Sequence, residues 1–315
     1  MKVLITGASG FVGRHLVQRC QKDGLEVTAL VRQANHMAAS GIKTHVIAGV
    51  EQLGDLSAAL RDQDVVVHCA ARVHVMKDKS GDPLAAFRAV NVAGTLDLAQ
   101  QAAAAGIARF IYLSSVKVLG ESTAPGRPFT EEDPPCPQDA YAQSKCEAET
   151  GLRQLALKTG MQVVVIRPPL VYGAGVGANF KAMMAAVRRG WPLPLGRVDN
   201  RRSLVAIKNL VDFITVCMVH PAAADQTFLV SDGDDLSTTQ LLHHLGVSLG
   251  RPARLLPVPA WILRFAATLV GRSAVAERLC GSLQVDIGKA RRLLAWTPPV
   301  AVREGLGHAA QGGTA

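Results

Sequence analysis

Tyr141 and Lys145 lie four residues apart in Tyr141-Ala-Gln-Ser-Lys145, so on a helix they stand one turn apart on one face. A phenol ionises near pH 10, and service at neutral pH needs that value lowered by roughly three units, about 4 kcal/mol. A neighbouring ammonium supplies part of that, because a positive charge favours the phenolate. The pair suits general acid/base work at a carbinol or carbonyl oxygen, and Ser114-Ser115, closing the apolar run from Arg109, adds hydroxyls to hold such an oxygen. Three tyrosines among eleven lysines produce one such pair by chance in about one chain in ten, so its position has to carry the argument.

Position comes from the first thirteen residues. Val3, Leu4 and Ile5 form an apolar run without periodicity, as in a strand buried on both faces of a parallel sheet. Gly7, Gly10 and Gly13 follow, and Phe11, Val12, Leu16 and Val17 predict a helix ending near Gly24. Strand, glycine turn and helix N-terminus make a phosphate cradle, which points to a dinucleotide cofactor. An oxidised nicotinamide ring, itself positive, would lower the Tyr141 pKa further. A second strand spans Glu26 to Arg32, with Val31 roughly where NAD binders place a ribose-binding acid and Arg32 next to it. An arginine there suits a 2′-phosphate, so NADP(H) is expected over NAD(H). Asp64 to Ala71 is another apolar strand, ending in the small residues Ala70 and Ala71 that let a cofactor lie close. His68 is expected to be a packed structural histidine. The loop after it holds Arg72 and His74 as candidate substrate contacts. A long helix is predicted from Phe87 to Ala105, another from Tyr141 to Lys158, and a strand from Val163 to Ile166.

The pattern Thr6-Gly-Ala-Ser-Gly-Phe-Val-Gly13 resembles the short-chain dehydrogenase/reductase superfamily, and the chain length points to its extended branch, the NAD-dependent epimerase/dehydratase family. His68-Cys-Ala-Ala71, Asn91-Val-Ala-Gly-Thr95, Arg167-Pro-Pro-Leu-Val-Tyr-Gly173 and Val285-Asp-Ile-Gly-Lys-Ala290 are similar to segments of its nucleotide-sugar enzymes. The resemblance implies Ser115, Tyr141 and Lys145 as the catalytic set, with Ser114 the lesser candidate for holding the reacting oxygen. It implies cofactor contacts from Gly7, Gly10, Phe11, Val12, Gly13, Arg32, Ala70, Ala71, Asn91, Tyr141, Lys145 and Pro168. Substrate contacts would come from Arg72, His74, Ser114, Ser115, Asn179 and Arg202, with Arg202 gripping the diphosphate of a UDP-sugar. Ala71-Arg-Val-His-Val-Met76 and Asn200-Arg-Arg-Ser-Leu204 look most like reductases of UDP-linked 4-keto-6-deoxy-N-acetylhexosamines in cell-surface O-antigen assembly. Leu170 and Leu283 depart from the asparagine and second arginine of 4-epimerases. The expected activity is therefore NADP-preferring C4 keto reduction. A UDP-hexose 4-epimerase with retained NAD is the alternative, and a non-catalytic redox sensor a third. The resemblance also implies a homodimer formed by the two long helices.

The fold class expected is α/β: a Rossmann-type doubly wound parallel sheet with a smaller, mostly C-terminal substrate-binding region. The dinucleotide-binding domain would span 1–173, joined by returning strands near 202–230, with the substrate region over 174–201 and 231–315. Net charge is +9, and the excess sits late: residues 1–150 hold 15 Lys+Arg against 16 Asp+Glu, residues 151–315 hold 19 against 9. Arginines 188, 189, 197, 201 and 202 cluster without interleaved aromatics, which favours a small anionic substrate over nucleic acid. Six cysteines without short paired spacings argue against metal or disulfide frameworks. Met1 leads straight into the first strand, so no secretory signal and a cytoplasmic location are expected. The apolar run from Leu255 to Gly271 is interrupted by Pro257, Pro259 and Arg264 and too short to span a bilayer; a buried or interface helix is expected, with membrane-surface contact the lesser alternative.

Overall fold

The computed structural model describes residues 1–33, 41–73, 81–124 and 126–311. Its centre is a sheet of seven parallel strands. In chain order the elements are β1 (Lys2–Thr6), α1 (Phe11–Lys22), β2 (Glu26–Val31), β3 (Lys43–Val46), α2 (Ser57–Leu60), β4 (Val65–His68), α3 (Pro83–Arg88), a π-helical segment (Ala89–Gly94) and α4 (Thr95–Ala104). After these come β5 (Arg109–Leu113), a 3-10 turn (Val116–Val118), α5 (Ala140–Thr159), β6 (Gln162–Arg167), β7 (Leu170–Tyr172), α6 (Ala178–Arg189), β8 (Leu204–Ala206), α7 (Ile207–Val219) and β9 (Thr227–Leu229). The chain ends with α8 (Thr238–Ser248), α9 (Ala260–Leu269), α10 (Ser273–Cys280), α11 (Gly288–Leu294) and α12 (Val302–Gln311).

Strand order is β3-β2-β1-β4-β5-β6-β9. The connection reverses direction between β1 and β4, which opens a crevice at their carboxyl ends. Alternate residues of β1 face opposite layers, as strand geometry requires. Val3 and Ile5 pack with Leu16 and Val17 of α1 and Leu210 and Ile214 of α7. Leu4 packs on the other side with Leu98 of α4 and Leu152 of α5. Both faces are covered, so the doubly wound expectation holds.

Local chemistry fixes the helices that matter most. Asp82 caps α3 by accepting from the Ala85 amide at 3.0 Å, with Pro83 in the first helical position. The predicted helix from Phe87 is therefore a longer helical run from Pro83 to Ala104, interrupted by the π segment that carries Asn91. Asp139 caps α5 by accepting from the Ala142 amide at 2.7 Å, and Gly160, at φ 74°, ends it. Ser237 and Gln240 cap α8 reciprocally.

The strand expected near residues 202–207 does not join the main sheet. β8 pairs with β7 in a separate two-stranded sheet, and β9 alone returns to β6. A buried knot closes this region: the Tyr172 hydroxyl donates to Asp232 at 2.6 Å, with the Val302 carbonyl 3.3 Å away. Asp232 also accepts from the Ala206 amide and the Asn209 side chain, and Asn209 donates to the Val300 carbonyl.

Helix α5 is fastened to the sheet by charge. Glu149, 1% exposed, accepts from Arg167 at 2.6 and 3.0 Å and from Ser114 at 2.6 Å. Removing one partner of such a pair leaves an uncompensated buried charge, at a cost of about 3–5 kcal/mol. Glu149→Ala should therefore lower the denaturant midpoint by that much stability, whereas Arg153→Ala, removing only an exposed partner of the same carboxylate, should cost under about 1 kcal/mol.

Candidate active site

The glycine turn has almost no spare space. Gly7 has φ +65°, and a Cβ there would lie 2.7 Å from the Ala70 amide nitrogen. A Cβ on Gly13 would lie 2.1 Å from the Gly7 carbonyl oxygen, so helix α1 presses directly on the turn. No side chain caps α1 at Gly10, and its first amides are open to an anion. Phe11 and Val12 form that first turn. Thr6 accepts from the Ala70 amide at 3.1 Å and hydrogen-bonds the His68 ring at 2.7 Å; Thr95 meets the other ring nitrogen at 2.9 Å. Burial lowers the His68 pKa to about 3, and the Lys145 charge adds to this, so the ring is a neutral brace tying β1 and β4 to α4. Bare backbone, an uncapped helix start and small strand-end residues fit a bound dinucleotide.

Asn91 clamps the next segment. Its side chain accepts from the Arg72 amide at 2.8 Å and donates to the Arg72 carbonyl at 3.0 Å and to Ser144 at 2.9 Å. Ser144 in turn donates to the Tyr141 carbonyl. The Arg72 guanidinium lies 5.6 Å from the centre of the Phe87 ring, which meets the Tyr141 ring edge-on at 6.1 Å. Arg72 and Tyr141 thus border one space.

Tyr141 and Lys145 meet there as their spacing predicts. Ser115 stands beside the Tyr141 phenol and favours its ionised form. The Lys145 ammonium donates to the Leu113 carbonyl at 2.8 Å and stands 4.5 Å from the centre of the Tyr112 ring and 6.0 Å from that of Tyr141. Burial governs both groups. It pushes Tyr141 up to about 12, with the Asp139 carboxylate adding and the Ser115 hydrogen bond opposing. Burial likewise pulls Lys145 down to about 7 against the opposing influence of Cys69 and Glu149. In the protein alone, burial outweighs the ammonium that was expected to acidify the phenol.

Ser114 and Ser115 separate cleanly. Ser114 is 4% exposed and its hydroxyl donates to Glu149, so its place is under helix α5 and not in the crevice. Its expected substrate contact is corrected: adjacent residues of an extended chain point to opposite sides. Pro168 follows β6 and its carbonyl accepts from the Val116 amide at 3.0 Å. Arg32 is exposed at the carboxyl end of β2. Arg202 is half-buried and donates to the Gly281 carbonyl at 2.9 Å; burial lowers its pKa, with the Glu121 carboxylate opposing. Glu121 and Asp139 share Lys117 at 2.6 and 2.7 Å, which ties Glu121 to the start of α5. Asn179 is the second residue of α6. His74 lies outside the described residues. Leu170 is exposed, whereas Leu283 is buried in the core.

The lysine gives a pH signature with a definite sign. Its pKa is about 7 in the fold against an ordinary 10.5, so between those values the unfolded chain binds more protons and stability rises with pH. Tyr141 and the buried cysteines oppose this above about pH 9, because unfolding frees their protons. Denaturant titrations of wild type and Lys145→Met should therefore diverge, with a positive slope difference from about pH 7 upward. Parallel curves would mean the ammonium is not desolvated.

Comparison with known proteins follows the same lines. The family model "NAD dependent epimerase/dehydratase family" matches residues 3–231. A UDP-glucose 4-epimerase of Vibrio cholerae is 46% identical over 311 residues, covering 98% of this chain and 94% of that protein. A UDP-glucose 4-epimerase of Mycolicibacterium smegmatis is 30% identical, with 97% of this chain and 96% of that protein covered. Among solved structures, UDP-glucuronic acid 4-epimerase from Bacillus cereus in complex with NAD superposes with a TM-score of 0.81 at 20% identity, over 99% of this chain and 98% of that one, a likeness of fold. The chain is an enzyme, and it belongs to the NAD dependent epimerase/dehydratase family.

Proposed function

We propose that the chain is a 4-epimerase of UDP-linked hexoses that keeps its NAD through the reaction. The observation that carries this reading is the similarity to the Vibrio cholerae UDP-glucose 4-epimerase, 46% identical across 98% of the chain. The reductase expected from Val31-Arg32 becomes the second reading. It rests on Arg32, exposed at the carboxyl end of β2 where a 2′-phosphate would lie, and with it goes the preference for NADP(H).

The residues divide the work by position. The glycine turn and the start of α1 would hold the pyrophosphate, with Ala70, Ala71 and Pro168 lining the strand ends. When bound, the nicotinamide supplies a reversible two-electron acceptor for the sugar C4–H bond, and its positive charge lowers the Tyr141 pKa. Tyr141 Oη takes the proton from the sugar O4 and gives it back, while Ser115 Oγ fixes that oxygen. Lys145, held by the Leu113 carbonyl, would be the cation that stabilises the phenolate and would donate to the nicotinamide ribose. Arg202 and Asn179 would hold the diphosphate while the sugar ring turns over, and Arg72 and His74 would contact the sugar. Pairing of two copies through the helical run 83–104 and α5 completes the reading, with mass in solution as its check.

Denaturing the purified protein and quantifying the released nicotinamide separates the readings. The epimerase releases close to one NAD per chain and interconverts UDP-hexoses at C4 without added cofactor. A chain that emerges empty and consumes NADPH on a 4-keto sugar moves the assignment to the reductase. In either case Tyr141→Phe should lower kcat by about 10²–10⁴ with the melting midpoint retained.

A further inference from the structure

Helix α9 is apolar on both sides, and only one side has a protein partner. Ala260 and Leu263 pack against the small core cluster built on Val187, Leu195, Val198 and Leu242. On the opposite side Trp261, Phe265 and Leu269 recur every four residues, one above the next, at 70%, 62% and 72% exposure. Ile262 and Val270 widen the stripe, and no residue of this helix is buried. The buried or interface helix expected for this run is therefore, within the single chain, an exposed one. A helix apolar all round ordinarily lies in a core, and clustered exposed aromatics mark a contact surface.

Charge identifies the partner. Residues 251–280 carry Arg251, Arg254, Arg264, Arg272 and Arg278 against one acid, Glu277, and all five arginines are exposed. A two-fold contact between copies would bring one arginine-rich patch against another, which like charge disfavours. An anionic lipid surface meets both demands, taking the aromatic stripe into its interfacial layer and the guanidinium groups at its headgroups. Among the described residues no helix is long and apolar enough to cross a membrane. The contact is therefore one that lies on the surface.

We propose that α9 docks the enzyme on anionic phospholipid bilayers. The stripe also sits beside the substrate wall. Arg264 reaches the Cys280 carbonyl at 3.4 Å, and the next residue, Gly281, offers its carbonyl to Arg202. Docking through α9 would set that wall close to the headgroup plane, whichever C4 chemistry the site performs.

The test is sedimentation of the full chain with vesicles. Binding is expected to phosphatidylcholine vesicles containing phosphatidylglycerol, weaker to phosphatidylcholine alone, and weakened by salt. Trp261→Ser with Phe265→Ser should reduce the partition coefficient about tenfold or more, with activity on a soluble substrate and the melting curve unchanged. Arg254→Gln with Arg272→Gln should reduce only the preference for the anionic vesicles. The proposal fails if the wild-type chain stays in the supernatant with anionic vesicles, or if the double aromatic variant binds them equally well. It fails equally if the aromatic variant halves the mass in solution while the wild-type chain does not bind vesicles, an outcome that assigns the stripe to a second copy.

Discussion

The buried carboxylate of Glu149 fixes where helix α5 meets the sheet. It is shared by Arg167 at the end of β6, Ser114 at the end of β5, and Arg153 one turn further along its own helix. Two strands and one helix are therefore held at a single point in the interior, where a misplaced charge is costly. One turn before Glu149 stands Lys145, and one turn before that, Tyr141. The Tyr141 face of α5 is thereby held against β5, with Ser115 beside the phenol and Ser114 bound to the anchor.

Burial then sets the electrostatics of that face. A hydrogen bond to the Leu113 carbonyl and the Tyr112 ring accommodate the Lys145 amine, and among the described residues no carboxylate forms an ion pair with it. The ammonium is consequently poorly solvated and easily deprotonated, and the phenol is poorly solvated and hard to deprotonate. The protein alone favours neutral groups, and an oxidised nicotinamide, if bound nearby, would carry a positive charge that opposes the second tendency.

Much of this was legible in the sequence because the signals are local or periodic. The glycine spacing, the unbroken apolar runs of β1, β4 and β6, and the helical spacing of Tyr141 and Lys145 depend on neighbours in the chain. Glu149 continues that same four-residue spacing, so the signal for the anchor was present in the residues themselves. Which of Ser114 and Ser115 faces the crevice depends on strand phase, and the strand gives little alternation to fix it, because both of its faces are buried. Pairing of β8 with β7, and the exposure of α9, are tertiary facts; a short apolar strand and an apolar helix do not name their partners. His74 and the side chain of Asn179 are not among the described parts.

The knot at Tyr172 bears on how the chain is made. Its hydroxyl joins β7 to Asp232 and lies beside the Val302 carbonyl, while Asn209 reaches Val300. The glycine turn, the seven strands and the Glu149 anchor are all complete once residue 229 has emerged from the ribosome. The small sheet of β7 and β8 waits some seventy residues longer for its last hydrogen-bond acceptors. Synthesis therefore delivers the central sheet first and leaves the small sheet open until the end, with its apolar contacts to α12 unformed. During that interval any ligand that bound only the folded sheet would stabilise the nascent protein.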